Sequence, residues 1–433
     1  MPSLWSGTVT LPSFPPLQDD LNTDVLIIGG GLAGLLCCHF LTGAGVDCAL
    51  VEAKTLCSGA TGGTTAKVTA QHGLIYQKIE KEFGSDAARL YYEANEAALN
   101  EYRNLCAGRD CDFEEQDSYI YSREDRAPLD KELKALERAR IPATFVEGHA
   151  LPLPFPTVGA VKFARQAAFH PLKFAASLVQ GLPIYENNPV MELKPGSFRT
   201  PNGYIRAKTV LVCTHFPMFN KHGSYFLKLY QDRSYALALE GAGPIDGMFL
   251  DQQKGGLSLR SWGDTLILGA GGHRPGKPGV GWTELSSLAN RFYPGKKELC
   301  RWAAQDCMTL DGIPYIGRYS PKTPGLFVAT GFNKWGMTSA MAAAMVLTDL
   351  ILGRENPYAA LFSPQRTVLR PQLAVNGLEA MAGWLTFQRP RCPHMGCALQ
   401  WNSRERSWDC PCHGSRFAED GKLLDNPATG DLS

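Results

Sequence analysis

Asp24-Val-Leu-Ile-Ile-Gly29-Gly-Gly31-Leu-Ala-Gly34 decides how this chain is read. An apolar, β-branched run that enters glycines directly predicts a strand buried on both faces, a tight turn and an apolar helix reaching Leu41. Two of the glycines Gly29, Gly31 and Gly34 let the backbone turn and approach a pyrophosphate, and the third lets helix and strand pack closely. The first N–H groups of the helix then face the phosphates. A second strand, Asp47-Cys-Ala-Leu-Val51, ends on Glu52, an acid placed to accept hydrogen bonds from both ribose hydroxyls of an adenosine. This order is that of a dinucleotide-binding unit, so the expected fold class is α/β and Rossmann-like.

The bulk properties narrow the function. A chain of 433 residues has room for two or three domains. With 43 basic and 42 acidic residues the net charge is +1, which gives no field for a polyanion, and no nucleic-acid partner is expected. The first twenty residues lack a basic segment followed by an apolar one, and Pro12, Pro15 and Pro16 predict a strap or loop rather than an export signal. Val25 to Val51, the most apolar stretch, is broken by six glycines and carries Asp47, unlike a membrane span of ~20 apolar residues. The expected location is cytoplasmic, with no membrane span.

Of thirteen cysteines, nine scattered from Cys37 to Cys307 read as small buried hydrophobes. The other four lie between 392 and 412 and need a chemical explanation. Cys392-x-His394 and Cys410-x-x-His413, with fifteen residues between the pairs, match a Rieske [2Fe–2S] ligand set of two cysteines on one iron and two histidines on the other. A closed zinc site would use the same residue types. Zinc has no need of the spare Cys397 and Cys412 or of the Cys-Pro-Cys-His-Gly-Ser loop.

Further segments bear on the dinucleotide. Gly59-Ala-Thr-Gly-Gly-Thr64-Thr65-Ala-Lys67 is rich in small hydroxyl residues suited to a flavin's phosphates and ribityl chain. Asp311-Gly-Ile-Pro-Tyr-Ile-Gly317 precedes the strand Gly325 to Thr330, which runs into Gly331-Phe-Asn333-Lys-Trp-Gly336-Met337-Thr338 and an Ala/Met-rich helix aimed at the flavin ring. Together these segments resemble the D-amino-acid oxidase and glycine oxidase superfamily of flavoproteins. The resemblance implies an FAD held by Gly29, Gly31, Gly34, Glu52, Thr64, Thr65, Val190 on a strand touching the adenine, Thr214, Asp311, Gly331, Asn333, Gly336, Met337 and Thr338. His215 stands where the superfamily has a glycine. Leu268-Gly-Ala-Gly-Gly-His273 has the wrong spacing for a second dinucleotide unit, so the flavin is expected to exchange electrons directly with a substrate.

Residues 389–433 resemble the Rieske fold. That resemblance implies Cys392, His394, Cys410 and His413 as metal ligands, a disulfide between Cys397 and Cys412, and a hydroxyl donor to the cluster at Ser415. Phe417 replaces the tyrosine of high-potential members, which points to the middle of the Rieske range of roughly −150 to +300 mV. The usual base sheet has no room between Phe362 and Cys392, so it is expected to be reduced or replaced by the flavoprotein's own surface.

The expected organisation is an FAD-binding domain from 20–75, 160–215 and 300–352, and an α+β substrate domain from 76–159 and 216–299. A linker or reduced Rieske base covers 353–388, and a small all-β Rieske domain covers 389–433. The chemistry expected from the resemblance is oxidation of a C–N bond in an amine or N-methylated amino-acid-type substrate. Electrons then pass from FAD to the cluster and on to an acceptor protein or a quinone-like molecule. Asp306 replaces the substrate-binding arginine of glycine-oxidase-like members and favours a cationic amine; His72 and Lys67 are further catalytic candidates. Two other readings stay open: an electron-transfer protein serving a separate redox partner, and an oxidase whose Rieske segment is a sensor or docking module.

Overall fold

The computed structural model describes residues 2–432 except 195, 220–221, 280, 368–369 and 387–388. The nucleotide unit forms as its sequence dictates. Strand Leu21–Ile28 is the centre of a parallel sheet, flanked by Cys48–Val51 on one side and Gly203–Val212 on the other, with Leu326–Thr330 and the antiparallel Tyr315–Arg318 beyond. Helices Leu32–Gly43 and Gly336–Ile351, apolar nearly all round, pack on each other against this sheet in the largest core.

A second, mostly antiparallel sheet is built around the long pair Leu229–Glu240 and Lys297–Thr309, in register from Leu229↔Thr309 to Glu240↔Lys297. Thr265–His273, Ser258–Trp262, Met248–Asp251, Glu114–Ser122, Gly159–Ala168 and the short edge strand Lys67–Val68 follow in order. Residues 160–168 and 300–309 therefore lie in this sheet, not in the nucleotide layer where the sequence suggested them. The reason is visible in the burial of Lys297–Thr309, whose later positions alternate between buried and half-buried as a one-sided antiparallel strand requires.

The C-terminal segment carries a small antiparallel sheet in the order Gln400–Asn402, Ser407–Asp409, Arg416–Ala418, Leu423–Asp425. It packs against a helix and against the flavoprotein sheet. Helix Pro371–Leu385 packs so closely that a Cβ at Gly383 would stand 2.7 Å from Cys412 Sγ and 3.2 Å from Cys397 Cβ. The flavoprotein sheet supplies the rest, through Arg233, Gln231 and Gln305. Among the described residues no helix is long and apolar enough to cross a membrane.

Candidate flavin and iron–sulfur sites

The three glycines of the nucleotide turn do the separate jobs their spacing implied. A Cβ at Gly34 would lie 1.9 Å from Gly29 O, so only glycine lets helix and strand touch. A Cβ at Gly29, where φ is +112°, would lie 2.6 Å from Cys213 O. At Gly31 it would meet nothing nearer than Thr61 Oγ1 at 3.4 Å, leaving space at the helix N-terminus for a phosphate. Glu52 Oε2 accepts from Gly30 N at 2.7 Å, which turns the acid back over the glycine loop. Beside it Asn188 is fully buried with neither side-chain polar atom bonded, a demand for a polar ligand at the adenosine end. These features fit a dinucleotide.

Two indoles pin the segment that should pass along the flavin. Trp5, buried in the N-terminal strap, donates to Thr64 O at 2.6 Å, and Trp302 donates to Gly63 O at 2.8 Å. Thr64 Oγ1 accepts from Ala66 N, and Thr65 Oγ1 accepts from Lys67 Nζ at 3.3 Å. The strap was legible as ordered from its prolines, but Trp5 gave no signal as a site residue.

The loop before the last helix folds on itself. Asn333 Oδ1 accepts from Thr309 N at 2.8 Å and its amide donates to Gly331 O at 2.6 Å, with φ at +51° for Asn333 and +73° for Lys334. Met337 O accepts from Tyr102 Oη, and Thr338 Oγ1 donates to Thr69 O, so Gly336 to Thr338 start a helix tied to the 69–72 turn. Asp311 is held by Arg366 at 2.7 and 2.9 Å and supports this loop from behind. Val190 is buried in the loop between Ile184–Tyr185 and Glu192–Lys194, not on a strand, because Pro189 removes the N–H that pairing there would use.

The three catalytic candidates do not converge. His72 Nδ1 accepts from Tyr91 Oη at 2.7 Å while its Nε2 faces Thr69 O at 2.8 Å and Thr338 Oγ1 at 3.0 Å. Burial brings it down to about 3, so it is a neutral structural imidazole with no nitrogen left for a substrate. Asp306 stands opposite Asp232 across the long strand pair. Burial raises its carboxyl to about 6, with Lys334 opposing and Asp232 adding to the rise. Asp232 itself is paired with Lys334 at 2.8 Å and Lys254 at 3.3 Å, so the charge at 306 belongs to a cluster already supplied with cations.

Lys67 differs. Its Nζ touches only hydroxyls, Ser258 at 2.6 Å and Thr65, and burial, then Arg260, lowers it to about 7. Arg260 is 1% exposed, donates only to the carbonyls of Ala66 and Phe169, leaves Nε without a partner, and lies 5.3 Å beneath Trp5. Among the described residues no carboxylate pairs with either cation.

At the other site two loops meet. Cys392 N donates to Cys397 O and Gly396 N to Cys392 O in the first; Cys410 N donates to Ser415 O and Gly414 N to Cys410 O in the second. Cys392, Cys410 and His413 are buried, and the His394 and His413 rings stand edge to face at 4.9 Å. Thiol hydrogen bonds from Cys392, Cys397 and Cys412 hold Cys410 well below the ordinary range, and burial with His413 beside it keeps His394 neutral at about 3. Two thiols and two imidazoles brought together from two loops are the donor types of a [2Fe–2S] site with two cysteines and two histidines, so the donor set fits an iron–sulfur cluster. The Ser415 hydroxyl bonds the Cys392 sulfur, and Phe417 is buried without a hydroxyl to add. Cys397 and Cys412 stand as thiols, their sulfurs within 4.8 Å of each other and of Cys410.

The segment is fastened by a buried charge network that the sequence did not announce. Glu405, 5% exposed, takes Arg233 of the flavoprotein sheet at 2.6 Å and Arg416 at 3.0 Å, with Tyr235 Oη at 2.8 Å; Arg416 continues to Asp409 and Asp425. Gln305 Nε2 donates to Gly414 O at 2.7 Å, and Asn426 Nδ2 donates to Thr214 O at 2.7 Å. Thr214 thus lies on the seam between the two cofactor sites.

A dinucleotide cradle beneath an antiparallel substrate sheet, with a Cys/His two-loop site seated on it, defines a flavoprotein oxidoreductase that carries its own iron–sulfur segment. Residues 24–350 match the profile of FAD dependent oxidoreductases, and 365–433 match that of the Rieske [2Fe-2S] domain. The chain belongs to the FAD dependent oxidoreductase family and ends in a Rieske domain, so FAD and a [2Fe–2S] cluster are its cofactors. The Rieske match begins within the stretch expected to be linker. The Bacillus subtilis (strain 168) protein YhfW, described as a Rieske 2Fe-2S iron-sulfur protein, is 34% identical over 487 residues, covering 98% of this chain and 95% of its own. Gamma-glutamylputrescine oxidoreductase of Escherichia coli (strain K12) is 23% identical over 376 residues, 78% of this chain and 86% of its own. Glycine oxidase from Geobacillus kaustophilus superposes with a TM-score of 0.68 at 19% identity, covering 80% of this chain and all of that one, and shows the shared fold. L-proline dehydrogenase from P. horikoshii does so at 0.65 and 16%, covering 80% and 98%.

Proposed function

We propose that this flavoenzyme oxidises the C–N bond of an amino-acid-type amine and sends the electrons through its own cluster to an external acceptor. The observation that carries the reading is the seating of the cluster loops on the flavoprotein, through Gln305 of the second sheet to Gly414 and Asn426 to Thr214 beside the nucleotide sheet. A sensor or loosely tethered module would not need its ligand loop bonded into the flavoprotein's long strand pair. FAD supplies hydride acceptance from the carbon next to nitrogen. The chain would supply orientation: Lys67 and Arg260, which no carboxylate among the described residues pairs with, favour a substrate carboxylate, and Trp302 holds the segment that starts at Gly63 in place beside them. The ligand loops supply the way out, and the soluble acceptor or quinone-like molecule lies beyond them.

Anaerobic mixing with a panel of amines and amino acids tests this. Bleaching of the flavin followed by reduction of the cluster is expected; peroxide production with a silent cluster would leave the oxidase-with-sensor reading in its place.

Charge makes a separate prediction. Lys67→Met is expected to lower kcat/KM for carboxylate-bearing substrates at least tenfold, a loss of about 1.4 kcal/mol of binding, while amines without a carboxylate change little. Lys67 is protonated below about 7 and loses its charge above it. In the wild type kcat/KM should therefore fall as pH rises through that value, and Lys67→Met should lack the limb.

A further inference from the structure

The His413 side of the cluster site is closed against the flavoprotein, while His394 is half-buried. His413 is 2% exposed, with the rings of Phe216 and Phe226 each 6.2 Å from it, and Phe216 also stands 5.9 Å from His394. Phe216 is itself buried and touches both imidazoles. It comes three residues after Cys213, whose carbonyl oxygen sits where a Cβ on Gly29 would be, at 2.6 Å, on the wall of the nucleotide turn. Three residues of extended chain span at most about 11 Å, so one short covalent segment joins the flavin cradle to the cluster ligands.

That segment is also held stiffly. Thr214 Oγ1 donates to Phe216 O at 2.9 Å, Asn426 holds Thr214 O, and Thr330 Oγ1 donates to His215 O at 2.5 Å. His215 takes φ of +66°, the left-handed backbone that suits a glycine, and here the bonds on either side hold a histidine in it. Around it Gln305 ties Gln231 at 2.6 Å to Gly414 O, and a Cβ at Gly414 would lie 2.7 Å from Gln231 Cβ, so the ligand loop meets the flavoprotein sheet without a gap.

We propose that Phe216 is the residue that couples the two cofactors: electrons cross from the flavin cradle along Cys213 to Phe216 and reach the cluster at its histidine-ligated iron. Phe216 is a positioning residue in this scheme, since it acts on transfer between groups held by others. The step moves one electron at a time. The two-electron-reduced flavin loses one electron and one proton, the proton passing to water, and the diferric cluster gains the electron to become mixed-valence. An external one-electron acceptor empties the cluster before the second electron follows. The inference rests on the proposed direction of electron flow but not on the identity of the substrate.

The test uses the full-length protein holding both cofactors and needs no substrate. Bound flavin is photoreduced anaerobically with EDTA, and the reduction of the cluster is followed by freeze-quench electron paramagnetic resonance. Phe216→Leu is expected to slow flavin-to-cluster transfer at least tenfold, with unchanged cluster g-values and midpoint potential. Phe226→Leu removes a comparable ring from His413 off the path and should stay within twofold of wild type. Wild-type transfer that is equally fast in Phe216→Leu would overturn the role of Phe216. Slowing that appears only with altered g-values or potential would overturn it too, by reducing it to support of the ligand loops. If light reduces the wild-type flavin and the cluster never follows, the proposed direction of flow itself fails, a result distinct from the other two.

Discussion

Glu405→Ala is expected to destabilise the fold by about 1.5–3 kcal/mol, because it removes the charged partner that Arg233 and Arg416 share, both nearly inaccessible to water, while Arg416 keeps Asp409 and Asp425 and Arg233 keeps Asp425. The loss should appear as a lower thermal midpoint and as release of iron before release of flavin, since the broken network lies between the ligand loops and the flavoprotein sheet. Glu405→Gln keeps the shape and removes the charge, so it separates packing from electrostatics. The same group predicts acid behaviour. Burial pushes the Glu405 carboxyl up, and the Arg233 hydrogen bonds with the Arg233 and Arg416 charges outweigh it, holding it at about 2 against an ordinary 4.5. A depressed carboxyl contributes stability that is complete above about 4.5 and lost as pH falls toward 2, on the order of 3 kcal/mol at this burial. Acid titration of cluster absorbance should show that limb in the wild type and lose most of it in Glu405→Gln. Identical acid profiles for the two proteins would rule the network out as the fastening.

The second large effect concerns identity of the metal. Cys410→Ser is expected to abolish the iron–sulfur signal entirely, with the flavin absorbance retained, because Cys410 is the sulfur toward which Cys392, Cys397 and Cys412 all converge. Cys300→Ser, at a half-exposed cysteine far along the chain, should leave both cofactors in place. Iron at two atoms per chain in the wild type is expected. A reduced-protein spectrum without the low average g of a histidine-ligated cluster, together with stoichiometric zinc, would refute the assignment. The redox titration belongs to the same experiment. One hydroxyl reaches the Cys392 sulfur from Ser415 and none comes from Phe417, so the midpoint should sit inside the middle of a range of roughly −150 to +300 mV.

What could be read from the sequence was whatever depends on backbone chemistry or on ligand type. Gly29 and Gly34 are forced by contacts that admit no Cβ, and such positions announce themselves as glycines. Cys392, His394, Cys410 and His413 stand out in the sequence by type and spacing, and the fold brings their two loops together. The ligand loops pack on the flavoprotein sheet and on helix Pro371–Leu385, which lies inside the stretch matched by the Rieske profile. Residues whose role depends on distant partners were hidden. Arg233, Glu405 and Arg416 are ordinary charges until folding brings a strand residue and a turn residue 172 positions apart together. His72 was misjudged because a histidine's availability is decided by neighbours such as Tyr91 and Thr338, which lie far away in the chain. Asp306 was open between a substrate-facing acid and a structural one, and only the pairing of Lys297–Thr309 with Leu229–Glu240 placed Asp232 and its lysines beside it.

The seam has a bearing on how the chain can be divided. The ligand loops lean on Gln231, Gln305 and Arg233 of the flavoprotein sheet, and on Gly383 within the Rieske-matched stretch 365–433. A cut between the two parts would therefore bare a buried ion-pair network on one side and unpaired amides on the other, so each part is expected to be less soluble alone than joined.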